Sequence, residues 1–241
     1  MQATQDLAVA VYDCAATGTD MAESPARRSM MKDTQVEELL YQALETELGG
    51  VQVYKTAIRC TVNEELREEW QGYLDETENH VRIVGRIFAE IGLDPKVETP
   101  GRAIVRFKGQ SLIKAMEMAL ESGNKAAAQL VAAECVVDAE IKDHANWELI
   151  GEVADEIKGP RAKVLKEAYE EVEEEEDEHL YHTQGWAREL WFESLGMTAV
   201  LPPPEERKKV TTAIGAARAE QSRDDFIKKA PKAKSTTKAK S

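Results

Sequence analysis

The sequence predicts an all-α protein built on a four-helix bundle, in which a long crossover joins the second and third long helices and short extra helices complete the chain. Four long segments repeat apolar residues every three or four positions, the period of an amphipathic helix. Aromatic residues make up only 6% of the chain, which is lean for an all-β fold. Gly and Pro residues end three of the four segments, as they do at helix ends.

The elements follow from these signals in chain order. Asn124 is placed to cap the third long helix, and Gly159-Pro160 ends it. A Pro-rich break follows the fourth helix. The long helices are expected over residues 34–61, 64–91, 124–157 and 161–195, with a connection over 95–110, a short helix over 111–122 and a polar helix over 205–226.

These elements divide the chain into four parts. A partly flexible leader is expected over residues 1–33 and the bundle over 34–197. The Pro break and the short polar helix occupy 198–225. Residues 226–241 contain six Lys and no acidic residue, which predicts a disordered basic tail capable of weak nucleic-acid contacts.

Charge and cysteine usage narrow the function classes. The net charge of −14 argues against a body that grips nucleic acid and fits cation handling or plain solubility. The three cysteines, Cys14, Cys60 and Cys135, form no CxxC pair, so we expect neither a disulfide framework nor a zinc ribbon and place the protein in the cytoplasm. No apolar run reaches the length of a membrane span, and the N-terminus is not that of a signal peptide.

Carboxylates interrupt the apolar stripes of the first and third long helices. Glu47 lies between Leu44 and Val51, and burying a lone carboxylate costs several kcal/mol unless a cation or a donor stands beside it. Glu140 holds the same kind of position on the third helix. Each is followed by an aromatic residue two turns later, Tyr54 and Trp147 respectively.

Histidines occupy the stripes of the second and fourth long helices. His80 has Glu76 four residues before it, while Thr77 stands at the i−3 position; His179 has Glu176 at i−3. Carboxylate oxygen and imidazole nitrogen suit iron and manganese, and bridging carboxylates hold two such ions together. The predicted ligands are Glu47, Glu76, His80, Glu140, Glu176 and His179, with Tyr54, Glu134, His144, Glu178 and His182 as alternative ligands or partners of the ligands.

Several stretches resemble the ferritin-like superfamily of ferritins, bacterioferritins, rubrerythrins and manganese catalases. "ETELGGVQVY" (45–54) is similar to its first-helix Glu with an aromatic residue two turns later, and "EEDEHLYH" (175–182) to its fourth-helix Glu-x-x-His. "YLDETENHVRIVGRIFAEIG" (73–92) is closer to the YciE/YciF-like stress-response relatives. The resemblance covers roughly residues 34–197 and implies a ferritin-like four-helix bundle with a buried dimetal centre.

Two functions of different classes remain open at this point. The first is a dimetal protein with two Fe or Mn ions per subunit that handles iron, O₂ or peroxide, by ferroxidase, peroxidase or manganese-catalase-like chemistry. The second is a metal-free, stress-associated bundle that acts by oligomerisation or partner binding. Under either hypothesis we expect a homo-oligomer, a dimer or higher, without a membrane partner.

Overall fold

The computed structural model describes residues 25–208 and 210–229, and these residues form seven helices and no strand. The all-α prediction is therefore confirmed for the described part of the chain. The chain divides into two compact units, residues 1–34 and 35–241, and the first is described only from Pro25, where α1 begins. The helices are α1 (Pro25–Cys60), α2 (Glu64–Ile91), α3 (Pro100–Glu121), α4 (Lys125–Glu156), α5 (Pro160–Ser194), α6 (Pro204–Arg207) and α7 (Ala213–Lys229).

Several helix boundaries follow local capping chemistry. The side chains of Asn63 and Asn124 accept hydrogen bonds from the backbone N–H groups of Leu66 and Ala127, which caps α2 and α4. Gly92 ends α2 in the left-handed conformation, with φ of 77°, that favours glycine over other residues. The limits of α2, α4 and α5 agree with the sequence prediction to within one residue.

The helix limits differ from the prediction at α1, at α3 and after α5. Helix α1 begins at Pro25 instead of residue 34, because proline is well tolerated in a first turn. For the same reason α3 begins at Pro100, inside the stretch expected to be a connection, with Thr99 as its cap. The polar helix expected over 205–226 is two helices, α6 and α7.

Helix α3 lies against α1 and is held there by charge. Glu45 of α1 accepts hydrogen bonds from Arg102 Nε at 2.7 Å and from Arg106 Nε at 2.6 Å. Gly101 allows the close approach, since a Cβ there would stand 1.9 Å from Glu38 Oε1. The segment between α2 and α4 is therefore a docked helix, longer than the predicted one.

The C-terminal helices are joined to α5 by buried ion pairs. Glu189 of α5 is fully buried, accepts a hydrogen bond from the Val200 backbone N–H at 2.8 Å and pairs with Arg223 of α7. Arg188 of α5 binds Glu205 of α6 at 2.6 Å. These contacts fix the chain after α5, although its composition is polar.

The interior contains two apolar clusters with a polar layer between them. One cluster includes Tyr54, Trp70 and Trp186, and the other includes Leu40, Ile87 and Trp147. Both draw on α1, α2, α4 and α5. On each of these four helices, buried carboxylate or imidazole groups stand in sequence between members of the two clusters, so the polar layer crosses the middle of the helices.

The two predicted terminal segments fall largely outside the described residues. Of the leader, residues 1–24 lie outside them, and of the Lys-rich tail, residues 230–241 do. Within the described part of the chain, none of the helices combines the length and apolarity that a membrane crossing requires.

Candidate metal centre

The polar layer brings five of the six predicted ligands together. Their nitrogen and oxygen atoms form two groups, and within each group the ligand atoms lie within 4.8 Å of one another. Glu176 belongs to both groups, so the two groups share one carboxylate. The first group is Glu47, His80 and Glu176, and the second is Glu140, Glu176 and His179.

Inward-facing atoms of these side chains lack hydrogen-bond partners. They are Glu47 Oε2, His80 Nδ1, Glu140 Oε2, His179 Nδ1 and both carboxylate oxygens of Glu176. The nearest nitrogen to Glu176 Oε1 is His80 Nδ1 at 3.0 Å. Buried polar atoms are nearly always satisfied, and a set of unsatisfied atoms that converges on one place fits the binding of a cation.

Each histidine is oriented by a glutamate from the opposite helix. His80 of α2 places Nε2 2.7 Å from Glu175 Oε2 of α5, and His179 of α5 places Nε2 2.7 Å from Glu76 Oε2 of α2. Because the carboxylates accept from Nε2, that nitrogen carries the proton and Nδ1 faces inward. Nδ1 of His179 lies 3.8 Å from Glu140 Oε2.

Glu76, the sixth predicted ligand, lies outside both groups. Its carboxylate contacts the outer nitrogen of His179, with 40% of its side chain exposed. The reason is geometric: Glu76 precedes His80 by four residues, which turns it towards α5, while the inward i−3 position on α2 is Thr77.

Two of the buried carboxylates each face an aromatic side chain from another helix, just as each histidine contacts a glutamate from the opposite helix. Trp147 Nε1 of α4 donates to Glu47 Oε1 of α1 at 2.7 Å. The Tyr54 hydroxyl of α1 faces Glu140 of α4 and acts to lower the pKa of that carboxyl, without full hydrogen-bond geometry. Both aromatic side chains are almost completely buried, so they shield the layer from water as well as orienting its ligands.

A further buried carboxylate, Asp143 of α4, joins the layer. Burial first, and then the charge of Glu47, raise the pKa of Asp143 well above its usual value. Its Oδ1 atom has no hydrogen-bond partner. Gly50 of α1 leaves room beside it, because a Cβ there would meet Thr77 Cγ2 at 3.3 Å and Asp143 Oδ2 at 4.0 Å.

Protons occupy the layer when no cation is bound. Burial raises the pKa of Glu47 to about 8 and that of Glu140 to about 7. Burial acts to lower the pKa of His80, but its contacts with Glu175 and Glu176 outweigh this and raise it to about 11. A divalent cation that bound to this layer would therefore have to displace protons.

The alternative ligands lie outside the two groups. His144 is half-buried, and its Nε2 is hydrogen-bonded to Asp177 Oδ1 of α5 at 2.7 Å. Glu134 is exposed and accepts a hydrogen bond from Trp191 Nε1 at 2.9 Å. Glu178 is half-buried. His182 Nδ1 lies 2.7 Å from the Tyr73 hydroxyl, and burial lowers the pKa of His182 to about 4, so this ring is neutral.

Sequence reasoning missed Asp143 and the role of Glu175. Asp143 follows Glu140 by three residues and so shares its helical face. This signal was overlooked because the predicted apolar stripe passed through His144 instead. Glu175 precedes His179 by four residues, the same spacing as Glu76 and His80. The repeated spacing could have indicated that the two glutamates have equivalent roles.

Comparisons of the chain with protein-family models, with curated proteins and with solved structures found no match. The arrangement of buried Glu and His side chains is the feature from which a function can be inferred.

Proposed function

We propose that the protein is a dimetal carboxylate protein of ferritin-like architecture, which binds two Fe or Mn ions and handles iron, O₂ or peroxide. The observation that carries the proposal is the pair of ligand groups that share Glu176 and direct unpartnered atoms inward. The order of the four contributing helices, with α3 as the crossover between α2 and α4, supports the ferritin-like assignment.

The donor set fits iron or manganese. Each group offers two carboxylates and one imidazole, the hard-to-borderline ligands that these ions take, and no thiolate. The outer nitrogens of both histidines are held by Glu76 and Glu175, the carboxylate–histidine arrangement that fixes a metal-binding ring. When bound, such a pair of ions would supply exchange between the divalent and trivalent states with O₂ or H₂O₂ as the oxidant.

The chain's own residues bind, orient and transfer protons. Glu176 would hold both cations, and Trp147 keeps Glu47 in one orientation through its indole N–H. Glu47 and Glu140 would release protons as cations bind, because their raised pKa values leave Glu47 mostly and Glu140 partly protonated near pH 7. The apolar clusters on either side exclude bulk water from the layer.

Metal stoichiometry tests the proposal. The purified full-length protein would be loaded anaerobically with Fe(II) or Mn(II), desalted and analysed for its elements, and we expect about two ions per chain. Glu176→Ala should lose most of this metal, because it removes the shared ligand, whereas Glu174→Ala, an exposed neighbour in the same acidic run, should keep it. Well under one ion per chain in the wild type would leave the metal-free bundle as the better account.

Redox activity is tested separately. We expect the iron-loaded protein to consume O₂ or H₂O₂ as Fe(II) is oxidised, and Glu47→Ala to slow this step because Glu47 is α1's member of the ligand groups. Stopped-flow absorbance at equal Fe(II) loading measures both rates. Oxidation no faster than that of free Fe(II) in buffer would refute the oxidase part of the proposal.

A further inference from the structure

A cavity of about 250 Å³ opens between α4 and α5 and reaches the polar layer from outside. Its wall includes Glu176, the shared member of the two ligand groups, and Trp147, which donates to Glu47. This cavity, here called the acidic vestibule, is also lined by His144, Glu148, Glu173 and Asp177.

Exposure falls in steps along the vestibule. The Glu148 side chain is 64% exposed, while His144 and Asp177 are 14% and 17% exposed. Glu176 is only 2% exposed, and its two carboxylate oxygens have no hydrogen-bond partner. The vestibule is therefore a graded passage from solvent to an unsatisfied buried carboxylate.

The charge of the vestibule suits a cation. Four of its lining residues are acidic, and none of its described lining residues is Lys or Arg. Low-dielectric walls with one sign of charge focus the field and raise the local concentration of counter-ions. The carboxylates of Glu148, Glu173 and Asp177 offer oxygen ligands to a cation that is losing its hydration shell, and Asp177 Oδ1 also lies 2.7 Å from His144 Nε2.

A second cavity differs from the vestibule in its lining. It measures about 110 Å³, lies among α1, α3 and α4 and includes Gly50 in its wall. Two lysines, Lys108 and Lys142, also line it. Glu45 and Asp138 line it as well, so its charges balance, and its walls are mostly apolar. This cavity therefore attracts a divalent cation less than the vestibule does.

We propose that the acidic vestibule is the route by which divalent cations reach and leave the buried carboxylate–histidine layer. This inference rests on the proposed function, since it names the path of the ions which that function requires. The graded exposure supplies the path, and the carboxylates at its mouth supply the attraction.

Removing charge at the mouth tests the attraction. Glu148→Gln/Glu173→Gln leaves all members of the two ligand groups intact. We expect stopped-flow uptake of Co²⁺, followed by its visible absorption, to slow by roughly three- to ten-fold at low ionic strength, with the same final absorbance. The difference should shrink in high salt, which screens exposed charges. Glu90→Gln/Glu121→Gln, which removes two exposed acids outside the vestibule, should keep the wild-type rate.

Blocking the mouth tests the path itself, because charge acts at a distance and a steric plug does not. Ala213 is exposed and lines the vestibule, so Ala213→Trp would narrow it without a change of charge. We expect Co²⁺ uptake and its removal by a chelator to slow by similar factors, with the Kd unchanged. A rate unchanged by both variants, or a rate lowered equally by the control pair, would overturn the inference. A wild-type protein that binds no Co²⁺ would instead refute the proposed function, and the inference with it.

Discussion

Replacing Glu47 by Gln should stabilise the metal-free protein. Burial raises the pKa of Glu47 from 4.5 to about 8, so between these values the folded protein holds a proton that the unfolded chain has released. Folding then takes up a proton, and the free energy of unfolding falls as the pH rises through this window. Gln has nearly the same shape, keeps an oxygen for the indole N–H of Trp147 and has no proton to take up.

The expected gain follows from the same values. Each pKa unit corresponds to about 1.4 kcal/mol, and pH 7 lies 2.5 units above 4.5, so protonating Glu47 costs about 3 kcal/mol at pH 7. Gln buries two amide N–H groups in place of one carboxyl O–H, which offsets part of this and leaves a gain of roughly 1–3 kcal/mol. The gain should be larger at pH 8 than at pH 6, because the uptake of the proton becomes costlier.

Urea unfolding of the metal-free variant and wild type at pH 6, 7 and 8 measures this gain. Glu152→Gln, an exposed acid on α4, is the control and should change neither the stability nor its pH dependence. With metal present the order should reverse, since the variant has lost a ligand. A metal-free variant that is less stable than the wild type, or a gain that does not grow with pH, would refute the assignment of a buried, proton-holding Glu47.

Three further outcomes follow from the structure. Mn²⁺ binding at pH 7 should release protons, because burial raises the pKa of Glu140 to about 7; calorimetry in buffers of different ionisation enthalpy measures the release, and equal heats would contradict it. Glu76→Gln and Glu175→Gln should each weaken metal affinity by roughly 10- to 100-fold, since each loosens a ligand imidazole; titration of both variants shows whether their losses match. Gly151→Ala should destabilise by about 1–3 kcal/mol, because its Cβ would stand 2.9 Å from the Tyr169 ring, whereas Gly49→Ala, which meets nothing within 4 Å, should stabilise by up to about 1 kcal/mol in chemical denaturation.

The sequence was sufficient to predict that a polar residue is buried where the periodicity of its own helix determines the burial. Glu47 and Glu140 were found because a carboxylate on an apolar stripe is visible from the periodicity of its own helix. The burial of His80 and His179 follows in the same way. These residues hold their predicted places in the layer because the apolar residues before and after them fix which side of the helix is buried.

The sequence was insufficient to predict a side-chain contact where the relative placement of two helices determines it. Whether a Glu contacts its own histidine or the one opposite depends on how α2 and α5 are placed, which is why Glu76 was predicted to be a ligand and Glu175 was not named. On α4 the predicted stripe passed through His144, but the buried face of this helix also includes Asp143, which lies beside Gly50 of α1. The docking of α3 depends on charges from α1, which periodicity does not report.

The crosswise contacts of the polar layer amount to an approximate two-fold symmetry between α1–α2 and α4–α5. Each half carries a Glu with an aromatic residue seven positions later, and a Glu four positions before a His. The symmetry is broken where Gly50 and Thr77 in one half correspond to Asp143 and Glu176 in the other. The small side chains of the first half make room for the extra carboxylates of the second, so one half supplies space and the other supplies charge.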